Sequence, residues 1–264
     1  MTNIIGWRPS LTALVICAFA VTPAAAVVSH SLQPLTAGQV KAIIASARPG
    51  TRPNLAGRDL SGLDLTGAAF HGARLDRSNM FEAILTGADL SQTLMDGVNL
   101  SSVKMDRAKV SGALLRGATF LTTAANANFE GADLSRSSGY LIAPGANMRL
   151  AIIRRAHLAS DLSNQPMGML HTILTRADLK GADLSFSDLS FADLGHADFR
   201  KTVVRWTNFH GADLSAADFT GADVTGANFA QADVTDAMFV RVRGRSAMKG
   251  LGAARNLDQA LFRR

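Results

Sequence analysis

The sequence predicts an all-β solenoid, in which short extended pieces separated by turns wind around one drawn-out apolar core. Three observations carry that expectation. From Leu55 to Phe120 every fifth residue is apolar for fourteen steps, and a second run of fourteen extends from Leu174 to Phe239. In the second run the residue two before each centre is Ala, Ser or Thr, and the residue immediately before it is Asp or Asn in eleven cases. A period of five fits neither the 3.6 of a helix nor the alternation of a long strand, so each pentad must be an extended piece followed by a turn. The third observation is compositional: 47% of the chain is hydrophobic but only 6% is aromatic. That balance suits a narrow interior filled by many similar side chains.

The elements follow in order. Residues 1–26 read as a secretory signal peptide, with Arg8 in the n-region, an apolar run from Leu11 to Val21, and Pro23-Ala24-Ala25-Ala26 as an A-x-A cleavage site. The run is too short to favour a membrane-spanning helix, so no membrane span is expected after cleavage. The only cysteine, Cys17, lies inside the run. A chain cleaved after Ala26 would hold no cysteine, which removes disulfides, thiol catalysis and thiolate metal sites together.

Residues 27–54 are expected to form an N-terminal helical cap. Thr36 caps a short helix through Gln39, Val40, Ile43 and Ile44, ended by Arg48-Pro49-Gly50. The solenoid itself spans 55–239. Glycines two residues after the centre, as at Gly57, Gly62 and Gly211, supply turn flexibility. The phase loses one residue between Phe120 and Phe129 and another near Ser138-Gly139-Tyr140, and gains one between Leu158 and Leu174. The middle at about 121–173 is therefore irregular. No charged or Pro/Ser-rich linker interrupts it, so one solenoid with a bulged waist is expected rather than two domains. Residues 240–264 form a basic C-terminal cap, in which Asn256 caps a last helical turn through Leu257, Ala260, Leu261 and Phe262.

The phrases Ala177-Asp178-Leu179, Ala182-Asp183-Leu184, Ala192-Asp193-Leu194 and Ala212-Asp213-Leu214 resemble the pentapeptide-repeat family, whose motif is roughly A-[D/N]-[L/F]-x-x. The resemblance covers about Leu55 to Phe239 and implies a right-handed quadrilateral β-helix with short helical caps at both ends. One pentad makes each side, four make a coil, and the central Leu or Phe and the Ala two before it point inward. About nine coils are expected. Residues twenty apart then stack, which places Phe199, Phe219 and Phe239 in one column and Phe209 and Phe229 in the column opposite.

The same stacking puts Asp193, Asp213 and Asp233 in one outward column and Asp178, Asp198 and Asp218 in another. Repulsion between carboxylates one coil apart, roughly 4.8 Å, is only about 1 kcal/mol in water, so no metal is required. Bonding to local backbone at the corner is the expectation for these groups. The six histidines show no metal-ligand spacing, and neither a nucleophile elbow nor a phosphate loop occurs. No catalytic, cofactor-binding or metal residue is identified, no cofactor is expected, and the chain is read as a non-enzyme.

Formal net charge is +6, yet residues 176–239 hold 5 basic and 10 acidic side chains, whereas 240–264 hold 7 basic and 1 acidic. The basic tail lacks interleaved aromatics beyond Phe262. It is expected to fold against the acidic coils, with Leu257, Leu261 and Phe262 covering the last Phe239 layer. The reading that results is an exported, periplasmic or secreted bacterial scaffold with an unidentified protein or envelope partner, nucleic acid being unlikely on the distribution of charge. The oligomeric state stays open, a dimer through the C-terminal cap being one option. The family supplies an alternative, since some members resemble B-form DNA and bind DNA gyrase; the signal peptide and the basic pI of about 10.1 disfavour it.

Overall fold

The computed structural model describes residues 34–48, 50–159 and 170–263. The expected signal peptide, Pro49 and the core of the expected insertion lie outside them. Among the described residues no helix is long and apolar enough to cross a membrane.

Helix α1, Ala37–Ala45, opens the described chain and ends three residues before Arg48, where termination was expected. Thr36 and Gln39 form a reciprocal capping box: the Gln39 N–H donates to Thr36 Oγ1 at 3.2 Å, and the Thr36 N–H donates to Gln39 Oε1 at 2.8 Å. Such a cap contributes about 1 kcal/mol to a helix this short. Val40 is fully buried, and Leu35, Ile43 and Ile44 pack against the core beneath it.

Beyond Pro53 the chain winds as a four-sided β-helix of parallel bridges. The residue before each apolar centre forms the bridge, giving four columns. The first runs through Asn54, Arg74, Leu94, Leu114, Asp133, Ile152, Asp183, Val203, Asp223 and Arg243. The second, third and fourth begin at Asp59, Asp64 and Ala69 and end at Lys249, Arg255 and Leu261. Each side bonds to its neighbouring coils. Leu55 N–H donates to the Arg74 carbonyl at 2.8 Å and Arg74 N–H to the Pro53 carbonyl at 2.8 Å, while Gly57 N–H reaches the Asp76 carbonyl at 2.8 Å. Because this backbone is satisfied from coil to coil, the core can consist of side chains alone.

The apolar centres and the small residues two before them point inward and are buried from Leu55 to Phe239. Phe219 stacks on Phe199 and Phe239 with ring centres 4.5 and 5.0 Å away, and meets Phe209 and Phe229 edge-on at 5.9 and 5.8 Å. The two phenylalanine columns therefore face each other across the interior.

Every described corner residue two after a pentad centre between 57 and 241 adopts positive φ, except Thr122 and Leu141, and glycine is not required there: Arg77, Glu82, Phe186 and Trp206 have φ of 54°, 59°, 63° and 57°. Repeated coil-to-coil bonding imposes this left-handed backbone on L-residues, which otherwise disfavour it. Glycine has a second role, beneath a bulky neighbour. The Trp206 ring lies over Gly226 and the Phe191 ring over Gly211, where a Cβ would come within 2.6 and 2.5 Å of the rings.

The irregular waist has a simple cause. Strands β1 (Asn99–Lys104), β2 (Thr119–Thr123) and β3 (Ser138–Ile142) form a parallel sheet in that order, with Leu100, Phe120 and Gly139 in register. In β2 and β3 the pentad lacks one residue, so the corner cannot form and the chain runs straight from one column to the next. Ser102 keeps its positive φ of 58° in β1, where the register shifts between Ser101 and Lys104. Gly139 is obligatory, since a Cβ there would overlap the Phe120 carbonyl oxygen. In the following coil Ile142 bridges Ile173, a separation of 31 residues instead of twenty, so the added residues enter the count between His157 of the second column and Ile173 of the third.

At the far end the solenoid continues rather than closing with an α-helix. Arg243, Lys249, Arg255 and Leu261 extend the four columns, but at intervals of six residues. The extra residue in each side forms a 3-10 turn, at Arg245–Ala247, Leu251–Ala253 and Leu257–Gln259. Asn256 precedes the last of these with φ 58° and gives that turn no side-chain cap; its amide donates instead to Asp233 Oδ1 at 3.0 Å. Phe262 stacks on Phe239 at 5.0 Å and Arg245 lies 4.4 Å from the Phe262 ring. Leu257 packs against the core, whereas Leu261, expected to cover Phe239, occupies an outward bridge position and is exposed.

Candidate ligand-binding surface

A solenoid of this kind displays its functional side chains in columns and along the four corners between them. The predicted acidic columns are present: Asp193, Asp213 and Asp233 lie in the third, and Asp178, Asp198 and Asp218 in the fourth. Their oxygens are engaged by the chain itself. Oδ1 of Asp193, Asp213 and Asp233 accepts the N–H two residues on at 3.2, 2.9 and 3.1 Å, and Asp178, Asp198 and Asp218 do the same at 3.0, 2.9 and 2.8 Å. Partial burial pushes the Asp233 carboxyl up, but bonds from Thr235 and Asn256 with the nearby Arg255 outweigh it and hold it below its ordinary value. In the fourth column Arg149 pairs with Asp178 at 3.2 Å and Arg200 with Asp198, which neutralises much of that acidity. The second column contains an amide ladder, Asn228 Nδ2 donating to Asn208 Oδ1 at 2.9 Å and Asn208 Nδ2 to Asp188 at 3.0 Å. These groups stabilise the shaft.

The corner between the first and second columns has a different character. Residues one and two after the first-column centres stack there, bringing Arg116, Arg136, Arg154, Arg155, Phe186, Arg205 and Trp206 onto one edge. Arg116, Asp133, Ser135, Arg136, Arg154 and Arg155 line a cleft of about 370 Å³. Arg116 Nε donates to Asp96 at 3.1 Å, Arg154 lies 3.6 Å from Asp183, and Arg205 pairs with Asp223 at 2.7 Å. Burial pushes the Asp223 carboxyl up, yet the Arg205 and Thr225 bonds hold it low. Among the described residues Arg136 and Arg155 have no carboxylate partner. The Arg155 guanidinium lies 6.0 Å from the Phe186 ring and the Lys249 ammonium 4.6 Å from that of Trp206. Both rings are half exposed, at 50% and 49%.

The sequence draws attention to the basic tail and not to this edge. Its members are 19, 31 or 20 residues apart. A signal did exist: writing residues two after each first-column centre beneath one another, with both waist deletions and the insertion counted, yields Arg136, Arg155, Phe186 and Trp206 in sequence order. The tail is basic as expected, but it is built into the last coil, with Arg255 3.9 Å from Asp233.

A second surface lies between the second and third columns at the waist, where Ser102, Leu121, Tyr140, Ile142 and Leu170 line an apolar cleft of about 200 Å³.

The pentapeptide repeats family profile matches residues 51–80, 83–120, 171–200 and 207–243, in 8 copies. The chain belongs to the pentapeptide repeat family. Among solved structures, it is similar to HetL from the cyanobacterium Nostoc sp. strain PCC 7120, a pentapeptide repeat protein involved in heterocyst differentiation regulation. The two are 29% identical over 86% of this chain and 94% of that one, with a TM-score of 0.56. Similarity to QnrB1, a plasmid-mediated fluoroquinolone resistance protein, is 20% over 75% and 87% of the chains, with a TM-score of 0.35. A pentapeptide repeat protein of the Arabidopsis thaliana thylakoid lumen is 27% identical over 57% and 71%, with a TM-score of 0.25. No curated protein matches. The unmatched stretch between 121 and 170 is the waist, where the pentad is shortened and then interrupted.

Proposed function

We propose that this pentapeptide repeat protein is a non-enzymatic scaffold exported to the bacterial periplasm or exterior, with a right-handed shaft that binds its partner along the edge between the first and second columns. The observation that carries the reading is the convergence of cationic and aromatic side chains on that edge. Arg116, Arg136, Arg154 and Arg155 line one cleft, Arg136 and Arg155 have no carboxylate partner among the described residues, and the Phe186 and Trp206 rings stand half exposed beside them. Export rests on the n-region, apolar run and A-x-A end of residues 1–26.

The test is fractionation with intact-mass measurement. The reading expects a product beginning at Val27, recovered from periplasm or medium. A full-length cytoplasmic product would refute export and restore the gyrase alternative. That alternative has less support, because acidic side chains of the fourth column are paired with Arg149 and Arg200.

A further inference from the structure

We infer that the cleft formed by Arg116, Arg136, Arg154 and Arg155 binds an extended acidic polysaccharide, aligned along the shaft and continuing past Phe186. The inference deepens the scaffold reading above and rests on it for the setting in which such a ligand is met.

Charge comes first. Four guanidiniums and one carboxylate, Asp133, line the cleft, and with Asp96 and Asp183 paired to Arg116 and Arg154 the local net is +1. Asp133 Oδ1 already accepts the Ser135 N–H at 2.9 Å. Arg116 and Arg154 are held in place by Asp96 and Asp183, which lie outside the lining, while Arg136 and Arg155 have no carboxylate partner among the described residues. A guanidinium presents a planar fork of donors that matches a carboxylate or sulfate in bidentate fashion.

Geometry then selects an extended ligand. Arg116, Arg136 and Arg155 come from three consecutive coils, so cationic groups recur along the edge about every 4.8 Å, the spacing of paired strands. A polymer with one carboxylate per sugar presents anions at intervals of one ring, with weakly polar ring faces between them. Duplex DNA carries a charge every 3.4 Å or so along each strand, and its phosphates wind away from a straight edge within a few base pairs. Single-stranded nucleic acid needs open aromatic faces for its bases in addition to a basic groove for its backbone. Here Arg155 and Lys249 already lie against Phe186 and Trp206, which reduces the ring surface open to a base.

The probe is polygalacturonate, titrated into the protein at low salt, with neutral dextran, oligo-dT and duplex DNA of matched charge as comparisons. Arg136→Glu/Arg155→Glu should weaken polygalacturonate binding by about tenfold or more. It should leave the melting temperature unchanged, because Glu82 already occupies an equivalent corner at φ 59°. Arg107→Glu/Arg176→Glu, carrying the same charge change on the corner between the third and fourth columns, should leave binding intact. Absence of polygalacturonate binding, equal loss in both double variants, or tighter binding of either nucleic acid would overturn the proposal. A cytoplasmic product would instead count against the scaffold's export. Loss of an envelope partner in the Arg136→Glu/Arg155→Glu variant, without any polygalacturonate binding, would keep the scaffold reading and remove the polysaccharide.

Discussion

Phe219→Ala is the sharpest probe of the core. The Phe219 ring is fully buried between Phe199 at 4.5 Å and Phe239 at 5.0 Å, and two further rings meet it edge-on. Truncating a buried phenylalanine costs about 3–5 kcal/mol, and each aromatic pair lost adds roughly 0.5–1.5 kcal/mol beyond area burial. The neighbouring coils are tied by backbone bonds and cannot collapse into the void, so a value near 5 kcal/mol is expected. Phe219→Asp would bury a charge in the same place and should prevent folding of the C-terminal coils. The control is Asp218→Asn. Asp218 points outward, and Oδ1 accepts the Thr220 N–H at 2.8 Å, a bond that an asparagine Oδ1 retains. It should cost well under about 1 kcal/mol, as surface changes usually do. Urea unfolding of the three variants provides the comparison. Equal damage from Phe219→Ala and Asp218→Asn would refute the assignment of inward and outward positions.

Gly139→Ala should destabilise the waist severely, because the added Cβ would overlap the Phe120 carbonyl oxygen; a wild-type melting temperature would contradict the β2–β3 register. Truncation after Phe239 should remove the bonds from Val224, Phe229, Val234 and Phe239 N–H to the last coil, expose the Phe239 ring, and lower the melting temperature with salt-sensitive association. An unchanged melting temperature would instead make the tail a free arm. Acid should also destabilise the shaft. Asp59, Asp64, Asp89, Asp198, Asp223 and Asp233 are all held below their ordinary value, so the folded state binds fewer protons than the unfolded chain in acid. Their stabilisation is present above the unfolded value of about 3.9 and is lost as pH falls through the folded values, which urea midpoints between about pH 5 and pH 2.5 would register. A flat profile would show that the corner bonds do not favour the ionised form.

The repeat was legible because each pentad restates the same physics. An apolar centre such as Leu179, a small Ala177 and an Asp178 able to bond the corner together specify one side, so stacking by twenties followed from counting. The waist was legible as a phase error at Thr122 and Gly139, though not as a strand, because a deleted corner leaves no positive mark in the sequence. The tail misled for a related reason. Asn256 reads as a helix cap when taken alone, but Arg243, Lys249, Arg255 and Leu261 are spaced by six and continue the four columns. Corner residues were the least legible, since Trp206 and Phe186 at positive φ break the usual preference and only coil-to-coil bonding holds them there. The arginine edge was hidden because its members come from five separate coils.

Arginine footprinting with phenylglyoxal, read residue by residue by mass spectrometry with and without bound polygalacturonate, tests the account most directly. The account predicts protection of Arg136 and Arg155, with Arg107, Arg176, Arg241 and Arg263 unchanged. Protection of the tail arginines while Arg136 and Arg155 still react freely would contradict it.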